Sequence, residues 1–380
     1  MDTIVFLMWL HLKQSLSPAK AAFLLKELGT PEKVYQADKN KYAELGITNS
    51  VMLRDLMDKS LSNAKQEVHK AAKLSMTLLG YGTKNYPSIL YELPDPPLIL
   101  YVWGDPKVLH NRNAFCMVGA RHSTVYGMSA ALGVSEQLAR CGMVIVSGVA
   151  MGIDSAAHRG AVRGGGKTIG IMGCGLNVAY PSENADVRRA IIENGALISE
   201  FPLDTPPLPS NFPIRNRLLS GFSLGVAVME AGERSGALIT AKYAAEQGRD
   251  VFALPGNISN PMSAGTNRLI QDGASLLLSA DAILAEYIMR YPSYFALDEI
   301  IEEKKQEDNE EKWKEETEAL KEPGNNPQEK RLLQALRKEA LHPNEISRLL
   351  EMPIQEVQSL ITMLQIKGKI KEHPGNRFSV

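Results

Sequence analysis

From Phe115 onward the chain alternates short apolar runs with amphipathic stretches. This rhythm restricts the fold more than any other feature. Candidate strands are Phe115–Val118, Val144–Val146, Thr168–Met172, Leu197–Ser199, Leu224–Met229, Asp250–Leu254 and Ser275–Leu277. Helical patterns lie between most of them, as in Tyr126–Arg140, Ile153–Val162 and Ala237–Gln247. Strands that are apolar on both faces and joined by helical crossovers predict a doubly wound, mostly parallel α/β sheet. In such sheets ligands sit at the carboxyl ends of the strands, so the loops there carry the functional argument.

The flanks follow other rules. Residues 1–80 read as a small helical domain: Ala21, Leu24, Leu25 and Leu28 recur at helical spacing, and Gly29 stops the run. A second unit runs from Glu32 through Leu45-Gly46-Ile47 to Leu56. Both helix-hairpin-helix and sterile-alpha-motif folds fit, as does a plain helical module. Residues 81–100, with Pro87, Pro94, Pro96 and Pro97, read as an extended connector opening a sheet domain over 81–300. Residues 301–326 read as a charged linker. Ten acids and five lysines fall between Glu302 and Glu322, so the formal net charge of −1 leaves the rest of the chain mildly basic. Residues 327–380 predict three helices, Glu329–Lys338, Asn344–Leu350 and Ile354–Gln365. A turn at Gly368 and a hairpin of Lys369–Glu372 with Arg377–Val380 complete a winged-helix pattern. The third helix carries Gln355, Gln358 and Gln365 but no Arg or Lys, which favours a protein-contact or dimer-support role over duplex reading.

A length of 380 residues predicts two or three domains. Cys116, Cys141 and Cys174 lack ligand spacing and sit in or beside apolar runs, so neither a disulfide scaffold nor a metal site is expected. The N-terminal MDTIVFLMWLHLK reads as a first helix rather than a signal peptide, and no apolar run approaches membrane-spanning length. A cytoplasmic protein with no membrane partner is the expectation.

Several loops stand out. Gly119-Ala120-Arg121-His122-Ser123 closes the first strand just before a helix N-terminus, where free N–H groups attract phosphate. Arg121 is read as an anion anchor, against the reading of a surface arginine after a turn. Ser147-Gly148-Val149-Ala150-Met151-Gly152 closes the second strand and leads to Asp154 and His158, one helical turn apart. These two are read as a hydrogen-bonded pair bracing the loop, not as part of a Ser147 triad. Gly173-Cys174-Gly175 closes the third strand, followed by Tyr180-Pro181 and Asn184. Gly164–Thr168 mimics half a P-loop, but Ala161 stands where its first glycine belongs and a strand follows, which excludes nucleotide hydrolysis there. The Pro-rich segment from Phe201 to Ser220 delivers Arg215-Asn216-Arg217, read as two guanidiniums held together for phosphate or carboxylate. Glu230, after the fifth strand, is assigned to orienting one of them, with backbone or a ligand hydroxyl as the other readings. The rim lacks the paired acids and bases of a catalytic site.

The motifs GARHSTVYG (119–127), SGVAMGIDSAAHRGAV (147–162), GCGLNVAYPSEN (173–184), SEFP (199–202), FPIRNRLLSG (212–221), EAGERSGALITA (230–241) and ALPGNISNPMSAGTNRLI (253–270) run in order. Together they resemble the bacterial DNA-processing protein A (DprA/Smf) family over residues 80–285. The resemblance implies an extended Rossmann fold that binds single-stranded DNA, without catalytic residue, metal or cofactor. It implies a recombination mediator of natural transformation that protects incoming strands, helps load RecA and forms homodimers through the Rossmann domain. DNA-binding positions implied are Gly119, Arg121, Ser123, Ser147, Gly148, Gly152, Gly173, Asn184, Phe212, Arg215, Asn216 and Arg217, supported by Asp154, His158 and Glu230. Ala120 departs from the serine common in the family and removes one phosphate-bonding hydroxyl. The competing enzyme reading is a Rossmann-fold nucleoside monophosphate phosphoribohydrolase. Its PGGxGT loop has no counterpart in EAGERSGALIT, which lacks the glycine pair.

Overall fold

The computed structural model describes residues 3–294, 327–337, 339–350, 352–366, 369–373 and 377–380. The linker expected over 301–326 and the turn at Gly368 lie outside the described residues. The chain divides into two compact units, Met1–Leu297 and Asp298–Val380.

The first unit opens with six helices: α1 (Thr3–His11), α2 (Pro18–Leu28), α3 (Pro31–Gln36), α4 (Lys39–Glu44), α5 (Ser50–Met57) and α6 (Ser62–Lys73). Side-chain caps define the starts of the short ones. Ser17, Thr30, Asp38 and Asn49 each accept a backbone N–H from the first turn of the helix that follows. Pro18 and Pro31 fill the first helical position, where no N–H is needed.

The strands are β1 (Thr77–Gly80), β2 (Ile99–Gly104), β3 (Ala114–Val118), β4 (Val144–Ser147), β5 (Thr168–Ile171), β6 (Gly195–Ser199), β7 (Gly225–Val228), β8 (Asp250–Ala253) and β9 (Ser275–Leu276). Between them run α7 (Val125–Arg140), α8 (Ile153–Arg163), α9 (Ala185–Asn194), α10 (Asn211–Gly221), α11 (Gly236–Glu246) and α12 (Ala264–Gln271), with α13 (Ala280–Arg290) after β9. The sheet order is β1-β2-β6-β5-β4-β3-β7-β8-β9. Every strand the sequence pattern named is present, and the pairings from β6 to β9 are parallel. Of the stretch read as an extended connector, only its end, Ile99 and Leu100, enters the sheet as the start of β2, and Ser88–Glu92 forms a short 3-10 helix. β2 pairs antiparallel with both β1 and β6 and adds a mixed edge. The prolines before Ile99 obscured the apolar run that forms it.

Alternation along β3 shows how the sheet is covered. Cys116 and Val118 face Leu218 and Leu219 of α10 and Ala237 and Ala241 of α11. Phe115 and Met117 face α7, α8 and α13. On the far side, Ile99, Tyr101 and Leu197 share a core with the N-terminal helices and α9. The chain leaves β3 toward β4 on one side and returns to β7 on the other, so the switch point lies at β3.

The second unit holds α14 (Pro327–Leu336), α15 (Pro343–Leu350) and α16 (Ile354–Ile366), then the hairpin β10 (Lys371–His373) and β11 (Arg377–Ser379). Leu332, Ile346, Val357, Leu364 and Phe378 form its core.

Candidate nucleic-acid interface

A cleft of about 250 Å³ opens at the carboxyl ends of β3 and β4. Gly119, Arg121, Ala150, Asp154, Phe212, Arg215 and Asn216 line it, with Ser235, Gly236 and Thr240 from the start of α11. A smaller hollow of about 60 Å³ adjoins it, lined by Gly148, Met151, Met172, Gly173, Tyr180 and Pro181. Arg121 and Phe212 border both.

Three loops fix this geometry. In the β3–α7 loop, the Ala120 N–H donates to the Glu230 carbonyl at 2.8 Å. The Glu230 carboxylate accepts the Thr124 N–H at 2.7 Å and the Thr124 hydroxyl at 2.5 Å. Glu230 is buried, so its charge sits at the N-terminus of α7, where the helix dipole favours it. It anchors the loop carrying Arg121 and does not touch an arginine, which corrects the role assigned from sequence. The physical reason is placement: β7 neighbours β3, so the residue after β7 meets the turn after β3.

The β4–α8 loop is strained. Val149 adopts φ 60 and Gly152 φ 77. A β-branched residue in the left-handed region is an outlier of the kind that concentrates at functional sites. Asn184 is buried and donates to the Val149 carbonyl at 3.0 Å, holding that conformation. Asp154 accepts the Ala150 N–H at 3.2 Å. Asp154 and His158 are not a pair. His158 Nδ1 lies 2.7 Å from the Thr168 hydroxyl, which itself donates to the Ile145 carbonyl. That hydroxyl proton is committed, so His158 donates from Nδ1 and keeps a neutral ring. Burial, reinforced by Arg215, lowers its pKa from 6.5 to about 3. Ser147 donates to the Met117 carbonyl at 2.6 Å.

The third element is α10. Pro213 lies in its first turn, where proline is tolerated, so the Pro-rich approach ends in a helix. Residues two apart on a helix point to opposite sides. Arg215 turns to the cleft and donates to the Gly148 carbonyl at 2.9 Å and to the Ile171 carbonyl. Arg217 turns away and meets Glu200 and Asp95. The expected two-guanidinium site is therefore formed by Arg121 and Arg215, both stationed over the Phe212 ring at 5.2 and 5.9 Å. Tyr180 packs against the same ring at 5.7 Å.

Gly148 permits the close approach of charges behind the ring. A Cβ there would lie 2.7 Å from Asp154 Oδ2 and 2.8 Å from Arg215 Nη1. Burial raises the Asp154 carboxyl above its ordinary value, against the pull of Arg215. Burial also lowers the Arg215 guanidinium, opposed by Asp154. Arg121 is exposed and forms no ion pair among the described residues. The cleft therefore presents an exposed guanidinium with no ion pair beside a buried one that answers to Asp154, over an aromatic face.

Of the residues named from sequence, Gly119, Arg121, Gly148, Gly173, Phe212, Arg215 and Asn216 line the two cavities. Ser123, Ser147, Gly152, Asn184 and Arg217 do not. Ser235 and Gly236, which the sequence marks as a helix start after a strand, were not among the binding positions expected, yet they line the cleft. Ser235 accepts the Ala237 N–H at 3.3 Å as its cap.

Residues 77–288 match the family model described as DNA recombination-mediator protein A, and residues 316–376 match the DprA winged helix domain. The chain belongs to the DNA recombination-mediator protein A family. It is 40% identical over 212 residues to the DNA processing protein DprA of Bacillus subtilis, covering 56% of this chain and 71% of that protein. Among solved structures, DprA from Streptococcus pneumoniae matches with a TM-score of 0.67 at 34% identity, covering 75% of this chain and 99% of that one. The Helicobacter pylori DNA processing protein A, whose structure concerns a single-stranded DNA binding mode, matches with a TM-score of 0.52 at 31% identity. That match covers 57% of this chain and 97% of that one. The first family model covers the parallel sheet and the second the winged-helix unit.

Proposed function

We propose that the cleft binds single-stranded DNA without cutting it. Through this contact the protein protects incoming strands and helps load RecA during natural transformation. The observation that carries the reading is the placement of Arg121 and Arg215 over Phe212 beside the α11 N-terminus. Guanidiniums and helix N–H groups suit backbone phosphates, while Phe212 and Tyr180 offer rings on which bases stack. The Helicobacter pylori relative supports the ligand class.

Homodimer formation through the Rossmann unit belongs to the same proposal. β9 closes one edge of the sheet with two residues, and Leu276 within it and Leu278 just after it are exposed. We assign the winged-helix unit to protein contact. Lys369 pairs with Glu329 at 3.1 Å and Arg377 with Glu345 at 3.1 Å, which leaves Lys371 as the exposed cation of the wing without an ion pair among the described residues. Among the described residues no helix is long and apolar enough to cross a membrane. A cytoplasmic location is part of the proposal.

The test is anisotropy of labelled oligothymidylate across a salt series. Arg121→Ala is expected to weaken binding about tenfold and to flatten the log K against log salt slope by about 0.7, the share of one phosphate contact. Because Arg121 is exposed, the melting temperature should hold. Parental affinity in that variant would remove the cleft from the account. Release of free base from a nucleoside monophosphate would instead restore the phosphoribohydrolase reading.

A further inference from the structure

We propose that Arg217 is a positioning residue: it sets the orientation of α10, and so of Arg215 and Phe212, without touching the ligand. Arg217 is 3% exposed and lies on the side of α10 away from the cleft. Its guanidinium forms a two-pronged pair with buried Glu200, at 2.8 and 2.7 Å. Its Nε donates to Asp95 Oδ2 at 2.7 Å, and Nη2 donates to the Asp95 carbonyl at 3.1 Å. These contacts use both forks of a rigid planar group, which fixes direction as well as distance.

The connectivity gives the cluster its purpose. Glu200 follows β6 directly and Arg217 lies seventeen residues on, so their pair closes the Pro-rich segment into a loop. Phe212 and Arg215 both lie inside that loop. Asp95 comes from a separate stretch 122 residues away, before β2, and ties the loop to the sheet. At its backbone, Arg217 accepts from Gln247 Nε2 at 3.0 Å, linking α10 to the end of α11. The helix is thus gripped on its far side by three chain segments, while its near side faces the cleft. A small rotation of α10 would carry Arg215 off the Gly148 and Ile171 carbonyls and Phe212 away from Arg121.

The inference rests on the single-strand reading only for the second arm of its test. The full chain is used, with Arg217→Met and, because that variant leaves Glu200 buried without its partner, Asp95→Ala as the milder change. The first arm needs no ligand and follows amide hydrogen exchange over residues 211–221. Exchange there is expected to rise at least tenfold in Asp95→Ala, with β3, β4 and β5 unchanged. The second arm measures labelled oligothymidylate well below the melting transition. Affinity is expected to fall about three- to tenfold in Asp95→Ala, with the salt slope equal to the parent's. A purely structural role would lower the melting temperature and leave affinity intact below it. Unchanged exchange, or intact affinity in the folded variant, overturns the proposal. A slope lower by about 0.7 in Arg217→Met also overturns it, because Arg217 would then meet a phosphate itself. If the parent binds no oligothymidylate, the single-strand reading fails, and the exchange arm still decides the role of Arg217.

Discussion

The cleft and the wing both gather basic residues, but they use them differently. In the wing, Lys369 and Arg377 each have a carboxylate at 3.1 Å, while exposed Lys371 has no ion pair among the described residues and no aromatic frame. In the cleft, Arg121 has none among the described residues, and Arg215 answers to one buried acid and two carbonyls. The lesson is that the number of cations does not make an anion site. What counts is how much of each charge the protein has left unused, and whether a rigid frame aims it.

The largest break in this comparison should come from Arg215→Met. It leaves Asp154 buried without its counter-charge, and removing one partner of a buried charge pair costs about 3–5 kcal/mol. Chemical denaturation should show a loss of that order, where a wing substitution shows almost none. His158→Asn tests the same buried frame by pH. The folded pKa of about 3 lies below the ordinary 6.5, so the unfolded chain takes up the proton first. His158 thus favours the fold above pH 6.5, and that contribution is lost as pH falls toward 3. In the variant, the stability–pH slope in this window should be shallower by up to about 1.4 kcal/mol per pH unit. A parallel pair of curves would mean the ring is solvated.

Phe212→Ala sharpens the contrast at the ligand. Losing one stacking ring should cost about 1–3 kcal/mol of single-strand binding, read by anisotropy, with the salt slope retained. The smallest effect is expected in the wing. Arg377→Ala removes an exposed pair and should change neither single-strand affinity nor stability by more than about 0.5 kcal/mol. A loss as large as that of Phe212→Ala would make the wing a second contact surface.

Much of this contrast was legible in the sequence. Strand runs such as Phe115–Val118 are apolar on both faces, and the loops after them fall where a doubly wound sheet places ligands. The side of α10 was harder to read. Arg215 and Arg217 are close in an extended chain but about 200° apart on a helix. Four prolines before Asn211 hide the helix that follows them, although Pro213 itself suits a helix start. Glu230 was misassigned because its partner, Thr124, is 106 residues distant and becomes a neighbour only through the pairing of β3 and β7. The Asp154–His158 spacing is real, but burial gave each residue a different partner.

The anchoring of the first loop by Glu230 has an evolutionary corollary. Gly127 faces that carboxylate, and a Cβ at 127 would lie 2.4 Å from the Glu230 carboxyl carbon. The two positions should therefore drift as a couple. A lineage that gains a side chain at 127 must first shorten residue 230, and so must find another cap for Thr124.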